Sequence, residues 1–131
     1  MGEPIKMLLV DDQLDFVQLM AFWFQEKGYS VTFTTSPEEA LKIIKENTPD
    51  VAFLDLIMPN TDGVALLKKI REFNVSLPVI MMSSYIEDTR IEKKINVYKT
   101  SGVFYKGDDF LKAETLLEPI LKTKGDQSPP K

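Results

Sequence analysis

Acidic, hydroxyl and ammonium side chains stand at the ends of several apolar runs in this sequence. Together they could handle a phosphoryl group, because a lysine can neutralise the charge that develops on it and a hydroxyl can donate to one of its oxygens. A carboxylate of the same set could act as the nucleophile. The residues concerned are Asp11, Asp12, Asp55, Ser83 and Lys106.

Each of these residues also has a simpler interpretation. Asp55 could cap the helix that follows it, and one aspartate of the pair Asp11-Asp12 would be enough for a helix cap. Lys106 could be a solvated lysine at a strand end, and Ser83 could bond the local backbone. The case for chemistry therefore depends on whether the fold brings the whole set together.

Five short apolar runs alternate with helical patterns, which predicts a parallel sheet built from βα units. The predicted strands are residues 5–10, 29–34, 51–54, 78–82 and 102–105, the second of them at an edge. The predicted helices are residues 13–27, 36–48, 63–73 and 87–99. A last helix is predicted to begin near Leu116 with Pro119 in its first turn, because a proline would break a longer helix.

The polar residues converge if the strand order is 2-1-3-4-5, since the first, third, fourth and fifth strands are then neighbours. Three carboxylates brought so close would repel one another, and a divalent cation would hold them ionised at neutral pH. Ligation through oxygen with few protein ligands indicates Mg²⁺, which readily takes a phosphate as partner. We therefore expect a magnesium site at this edge of the sheet.

The composition narrows the classes of chemistry that are open to the chain. It has no cysteine and no histidine, which excludes disulfides, sulfur-ligated zinc, a Ser-His relay and a phosphohistidine of its own. The net charge of -4 disfavours direct binding of nucleic acid. No apolar run approaches a membrane span and the first residues lack a signal-peptide pattern, so we expect a cytoplasmic location without membrane contact.

The chain of 131 residues suits one domain. We expect the domain to span residues 1–124, with the polar residues 125–131 as a disordered tail. Unless the chain is a fragment of a longer protein, the few residues that follow Lys106 leave no room for a DNA-binding output domain, and we expect output through protein contact.

The strand-end residues and their surroundings resemble the receiver domains of two-component response regulators, including the single-domain chemotaxis type. The matching motifs are the pair Asp11-Asp12, the run Asp-Leu-Ile-Met-Pro-x-x-Asp-Gly at 55–63, Pro-Val-Ile-Met-Met-Ser at 78–83, and Lys106. They occur in the right order and spacing over about residues 5–121. The resemblance implies a flavodoxin-like (βα)5 sandwich.

The resemblance also implies roles for these residues. Asp55 would be the phosphoacceptor, supplied by the phosphohistidine of a sensor histidine kinase or a histidine phosphotransfer protein. Mg²⁺ (or Mn²⁺) would bind Asp11, Asp12, Asp55 and the Ile57 backbone carbonyl. The remaining two residues would be a switch hydroxyl and a phosphoryl-binding cation, namely Ser83 and Lys106.

Three positions depart from the family pattern. Val103 stands where the family has an aromatic residue, Gly107 where it has proline, and Ser84 where it has a smaller residue after the switch hydroxyl. Phe104 and Tyr105 lie nearby but are expected to point elsewhere than Val103. The chemistry is expected to survive these changes, whereas the coupling between hydroxyl and aromatic side chain is altered.

Two functions follow from these observations. The first is a phosphoacceptor signalling domain that switches the surface of its fourth helix, fifth strand and fifth helix for a downstream protein effector, catalysing only its own phosphorylation and dephosphorylation. The alternative is a phosphorylation-independent, receiver-like interaction module with a degraded switch. A true phosphohydrolase would need a second acid at position 57, which is Ile57.

Overall fold

A five-stranded parallel sheet forms the centre of the protein. The structure, a computed structural model, describes residues 3–58, 61–84, 93 and 96–123. The strands are β1 Lys6–Val10, β2 Ser30–Thr34, β3 Val51–Asp55, β4 Val79–Ser83 and β5 Gly102–Tyr105. They pair in the order β2-β1-β3-β4-β5, in parallel throughout. The predicted order and flavodoxin-like fold are confirmed, with β2 at an edge.

Helices and a short ribbon connect these strands. The helices are α1 Leu14–Glu26, α2 Pro37–Glu46, α3 Gly63–Phe73 and a C-terminal helix Phe110–Thr123. The ribbon pairs Ile57–Met58 with Thr61–Asp62 in antiparallel fashion and follows β3 directly. It occupies the connection between β3 and α3.

Side chains cap two of these helices. The Ser36 hydroxyl accepts from the Glu39 N–H at 3.2 Å, and Pro37 is the first residue of α2. At the start of α3, the Asp62 carboxylate accepts from the Ala65 N–H at 2.6 Å. These bonds satisfy N–H groups that have no partner within the helix. Local sequence therefore fixes where both helices begin.

Apolar side chains cover both faces of the sheet. On one face, Phe53 and Phe104 are buried beneath α1 and the C-terminal helix. On the other, Leu54 and Met81 are buried beneath α2 and α3. Because successive side chains along a strand point to opposite faces, the continuous apolar runs supply both cores. Since both faces of the sheet are covered by helices, the polar side chains of the predicted site lie at the ends of the strands.

The C-terminal helix corrects one prediction. It begins at Phe110 rather than near Leu116, and Pro119 lies in its interior. A proline there costs one helical hydrogen bond and about 3 kcal/mol. The helix continues because it buries Leu117 and Leu121 in the core, and each large apolar side chain contributes roughly 1.5–3 kcal/mol on burial. Tertiary packing thus outweighs the local preference of the proline.

Two predicted segments fall outside the described residues, the helix at 87–99 for the most part and the tail at 125–131 entirely. Within the described part of the chain, no helix has the length and apolar character needed to cross a membrane. The extent of the domain, residues 1–124, and the cytoplasmic location stay predictions.

The guanidinium of Arg71, in the last turn of α3, joins two parts of the chain through backbone carbonyls. It donates to the carbonyl oxygens of Tyr98 at 2.8 Å, Asn74 at 3.0 Å and Lys99 at 3.3 Å. Burial lowers the pKa of Arg71, although an arginine remains charged at neutral pH. These bonds tie the segment that precedes β5 to the end of α3.

Replacing Arg71 with methionine should lower the free energy of unfolding by roughly 2 kcal/mol, because the partly buried carbonyls of Tyr98 and Asn74 lose a charged donor. The matched control is Lys69→Met, an exposed position on the same helix, which should change stability little. Urea unfolding at neutral pH measures both variants. Equal stability of the two variants would contradict the role given to Arg71.

Candidate functional site

The carboxyl ends of four strands meet at one edge of the sheet and bring the predicted polar residues together. Asp11 follows β1, Asp55 ends β3, Ser83 ends β4 and Lys106 follows β5. The first three are buried, and the Lys106 side chain is 8% exposed. Asp12 lies beside them and is more exposed than Asp11. This edge is the candidate site.

Three carboxylates form a cluster that could hold a cation. Asp11, Asp12 and Asp55 each place one oxygen within 4.8 Å of the others. Asp11 Oδ1 accepts from the Gln13 backbone N–H at 2.8 Å, whereas Asp11 Oδ2 is buried without a hydrogen bond to the described residues. An unsatisfied carboxylate oxygen beside two other carboxylates suits a hard divalent ion that prefers oxygen. The donor set therefore fits Mg²⁺.

Lys106 supplies positive charge at this edge. Its Nζ lies 2.8 Å from Asp11 Oδ2, in an ion pair that lacks hydrogen-bond alignment, and 3.6 Å from Asp55 Oδ2. The same Nζ donates to the Gln13 side-chain oxygen at 2.6 Å and lies 4.8 Å from the centre of the Phe16 ring. An ammonium above an aromatic face is attracted by the ring quadrupole. Lys106 is thus held from several sides.

The carboxyl group of Asp55 is strongly perturbed by its surroundings. Burial and, second to it, the charge of Asp11 raise its pKa to about 7, although the Lys106 ammonium lowers it. Asp55 Oδ1 also accepts from the Ile57 N–H at 3.3 Å, which favours the ionised form. Without a bound cation, Asp55 is therefore partly protonated at neutral pH, and a divalent ion beside it would favour the carboxylate.

This raised pKa predicts how stability depends on pH. Without divalent cations, raising the pH from about 5 to about 8 should destabilise the wild-type chain relative to Asp55→Asn. In the unfolded chain the carboxyl loses its proton near pH 4, whereas the folded state keeps it until about pH 7. Stability is therefore lost as the pH rises through the folded pKa, by no more than about 1.4 kcal/mol per pH unit.

Urea unfolding in the presence of a chelator, at a series of pH values, measures this effect. A stability difference between the wild-type chain and Asp55→Asn that does not change with pH would contradict it. Adding Mg²⁺ should stabilise the wild-type chain more than the variant, because the ion binds the folded carboxylate cluster.

Two other predicted site residues lie near the carboxylate cluster. Ile57 donates its N–H to Asp55, and its side chain is 71% exposed, so its backbone runs beside the cluster. Ser83 is buried one residue beyond Met82, which is the register partner of Asp55 in β4. The Ile57 carbonyl as a metal ligand and the Ser83 hydroxyl as a switch stay predictions.

Strand β5 settles the expectation about its aromatic residues. Val103 packs on the face of the sheet covered by α2 and α3, and Phe104 is buried on the opposite face. Tyr105 pairs in register with Ser83 and is 38% exposed. Because side chains alternate along a strand, Tyr105 shares the face of Val103. The expectation is confirmed for Phe104 and wrong for Tyr105, which lies next to Ser83.

The sequence did not predict the contacts of Gln13 and Phe16 with Lys106. Phe16 fits the apolar stripe of α1, and it also packs edge-on against Phe110 with ring centres 5.9 Å apart. A signal for Gln13 was present, because it precedes the first residue of α1, where glutamine is a poor cap. An unexpected residue beside an acidic pair was the clue.

Two glycines near the site differ in what they permit. Gly63, the first residue of α3, donates its N–H to the Leu56 carbonyl at 2.8 Å. An added Cβ at Gly63 would overlap the Asp55 carbonyl oxygen and the Leu56 Cα. At Gly107, an added Cβ would meet nothing within 4 Å. Gly63 thus allows α3 to approach the backbone that carries Asp55, whereas Gly107 has space for a side chain.

We expect Gly63→Ala to destabilise the fold by roughly 2 kcal/mol or more, because a backbone overlap cannot be relieved by rotating a side chain. Gly107→Ala should leave stability nearly unchanged and serves as the control. Thermal and urea unfolding measure both variants. The explanation fails if Gly63→Ala is as stable as Gly107→Ala.

Comparison with known proteins agrees with this geometry. The family model for the response regulator receiver domain matches residues 7–107. The transcriptional regulatory protein ZraR of Klebsiella oxytoca is 30% identical over 131 residues, which cover 98% of this chain and 29% of ZraR. The chain therefore spans less than a third of the length of this curated relative.

Solved structures show the same fold. The receiver domain of the Francisella response regulator 1452 is 28% identical, with a TM-score of 0.81, over 91% of this chain and 98% of that domain. A CheY-like receiver domain protein from Methanospirillum hungatei JF-1 is 18% identical, with a TM-score of 0.85, over 94% of this chain and 98% of that one. The second likeness concerns the fold alone.

Proposed function

Because the chain belongs to the response regulator receiver domain family, we propose that it accepts a phosphoryl group on Asp55. The donor would be the phosphohistidine of a sensor histidine kinase or a histidine phosphotransfer protein. Receiver domains are signalling domains that interact with histidine kinases and effectors and bind Mg²⁺ at an acidic pocket. The proposal assigns these general properties to named residues of this chain.

One observation supports the assignment above all others. Asp55 Oδ2 lies 3.6 Å from Lys106 Nζ, inside a cluster with two further carboxylates. A nucleophile, a cation for the phosphoryl oxygens and a set of oxygen ligands thus share one edge. A helix cap would explain one of these carboxylates, but it would not explain the buried ammonium.

The cation site follows from the donor set. Asp11, Asp12, Asp55 and the Ile57 carbonyl would hold Mg²⁺, or Mn²⁺, which would neutralise charge on the carboxylates and the phosphoryl oxygens. Among the described residues, Asp11 Oδ2 is a buried oxygen that makes no hydrogen bond, and its close contact is the ion pair with Lys106.

In the proposed reaction, an Asp55 oxygen forms a bond to phosphorus while the bond from phosphorus to the imidazole nitrogen of the donor breaks. The imidazole leaves with that electron pair. Lys106 pairs with the phosphoryl oxygens, and the Ser83 hydroxyl donates to one of them. The chain would catalyse only its own phosphorylation and dephosphorylation, and would not turn over another substrate.

Phosphorylation would change the surface that the protein presents. A phosphoryl group adds negative charge to a buried edge, which biases the balance between two packings of the neighbouring elements. We place the responding surface on the predicted helix at 87–99, β5 and the C-terminal helix. Its reader would be a downstream protein effector, without direct contact of this chain with nucleic acid.

Incubation with Mg²⁺ and acetyl phosphate should add one phosphate to the intact chain, and Asp55→Asn should abolish the gain because the nucleophile is missing. The control is Asp15→Asn, which alters an exposed carboxylate on α1 and should leave the gain unchanged. Mass spectrometry of the intact protein measures all three. The proposal is wrong if the wild-type chain gains no mass or if Asp55→Asn gains as much.

The alternative function is a receiver-like interaction module that works without phosphorylation. It is favoured by Val103, which replaces the aromatic residue expected in β5. Amide hydrogen exchange over residues 96–123, with and without Mg²⁺ and beryllofluoride as a phosphate mimic, separates the two functions. A change confined to the mimic-bound state supports a switch, whereas identical exchange in a mimic-bound protein supports the alternative.

A further inference from the structure

Gln13 occupies a position that its own helix does not explain. It is the N-cap residue of α1, where serine, threonine, aspartate or asparagine would satisfy a free N–H. The Gln13 side chain makes no capping bond. Instead its Oε1 accepts a 2.6 Å hydrogen bond from Lys106 Nζ, across 93 positions of the sequence. The side chain thus serves the strand-end site and not the helix.

Both ends of Gln13 are tied to this site. Its backbone N–H donates to Asp11 Oδ1 at 2.8 Å, and Asp11 Oδ2 in turn lies 2.8 Å from Lys106 Nζ. Asp11, Gln13 and Lys106 therefore close a ring of contacts. Phe16, one helical turn further on, places its ring 4.8 Å from the same Nζ. From this position the ammonium is 3.6 Å from Asp55 Oδ2.

The two described oxygens that lie nearest the ammonium differ in what else they can bind. Asp11 Oδ2 belongs to the carboxylate cluster, so a cation bound there would take it away from Lys106. The neutral amide of Gln13 is a much weaker ligand for a hard cation and remains available to the lysine. Without the Gln13 amide, the ammonium would keep the Phe16 ring and Asp55 as contacts, neither of which is a short hydrogen bond, at the end of a side chain with four rotatable bonds.

We propose that Gln13 is a positioning residue, whose amide oxygen keeps the Lys106 ammonium beside Asp55 when the carboxylates bind a cation. This inference rests on the proposed phosphoacceptor function. Gln13 itself touches neither the cation nor the phosphoryl group. It limits the positions of Lys106, so that the ammonium is already in place for the oxygens of an incoming phosphoryl group.

The experiment compares Gln13→Met, which keeps the length of the side chain and removes the acceptor, with Gln13→Glu, which restores an acceptor at the same reach. Gln18→Met makes the same chemical change at an exposed position of α1, away from the site. The first readout is the NMR signal of the Lys106 side chain in ¹³C,¹⁵N-lysine protein, assigned by its absence in Lys106→Met. The second is the rate of phosphorylation by acetyl phosphate at saturating Mg²⁺.

Gln13→Met should shift and broaden the Lys106 signal and slow phosphorylation about fivefold, in line with the loss of a charge-assisted hydrogen bond. Gln13→Glu should restore a sharp signal and most of the rate, and Gln18→Met should match the wild-type chain in both. If Gln13 had a purely structural role, Gln13→Glu would not restore the rate. The melting temperature of the variants would then fall in step with the rate.

The inference is overturned if the Lys106 signal does not respond to Gln13→Met, or if it responds while the rate stays at the wild-type value. A wild-type chain that takes up no phosphate would instead overturn the proposed function. The NMR comparison needs no phosphorylation, so the two failures are distinguishable.

Discussion

Lys106 carries one positive charge beside a cluster of three carboxylates at a buried edge of the sheet. The chemistry of the site depends on this excess of negative charge. Asp11 is fully buried and Asp55 nearly so, and buried charges are costly unless they are paired. Lys106 offsets part of the negative charge, but burial and the charge of Asp11 still raise the pKa of Asp55 to about 7. A proton, a divalent cation and the lysine therefore compete for the same few oxygens. Phosphoryl chemistry at this edge depends on which of them is bound.

The sheet makes this costly arrangement possible by fixing the backbone on which the polar side chains stand. Beyond the strands themselves, Leu56 N–H donates to the Met82 carbonyl at 2.9 Å and Lys106 N–H to the Ser83 carbonyl at 2.8 Å. The parallel ladders thus continue up to the polar residues. Because those backbone groups are hydrogen-bonded, the unfavourable burial of polar groups is confined to a few side chains. The packing of the two apolar cores offsets its cost.

The parts of the fold that could be predicted are those written in local pattern. Uninterrupted apolar runs indicated the strands, and the predicted strand order placed Asp55 and Lys106 at one edge of the sheet. Pro119 was misjudged because its local cost is overcome by core contacts that a sequence does not display. Tyr105 was misjudged because side chains two residues apart in a strand share a face, and Tyr105 lies two residues after Val103. The proximity of these carboxylates was predictable, but the distances and the perturbed pKa were not.

Gln13 shows a different limit of sequence interpretation. A residue that makes a poor helix cap is a weak signal, and its partner Lys106 lies at the far end of the domain in sequence. No periodicity links two side chains across such a separation. The pair is defined by the register of the sheet and by the start of α1, which become known only when both are placed in three dimensions.

Phe16 contacts both Lys106 and Phe110, and this position has a consequence for mutational tolerance. Phe110 begins the C-terminal helix and also packs against Phe104 and Trp23. A cluster of aromatic rings therefore contacts both the Lys106 ammonium and the core beneath the C-terminal helix. Because Phe110 packs against Phe16, substitutions at Phe110 would also change the position of the Lys106 ammonium beside Asp55. The ring of Phe16 thus belongs both to the apolar core and to the site.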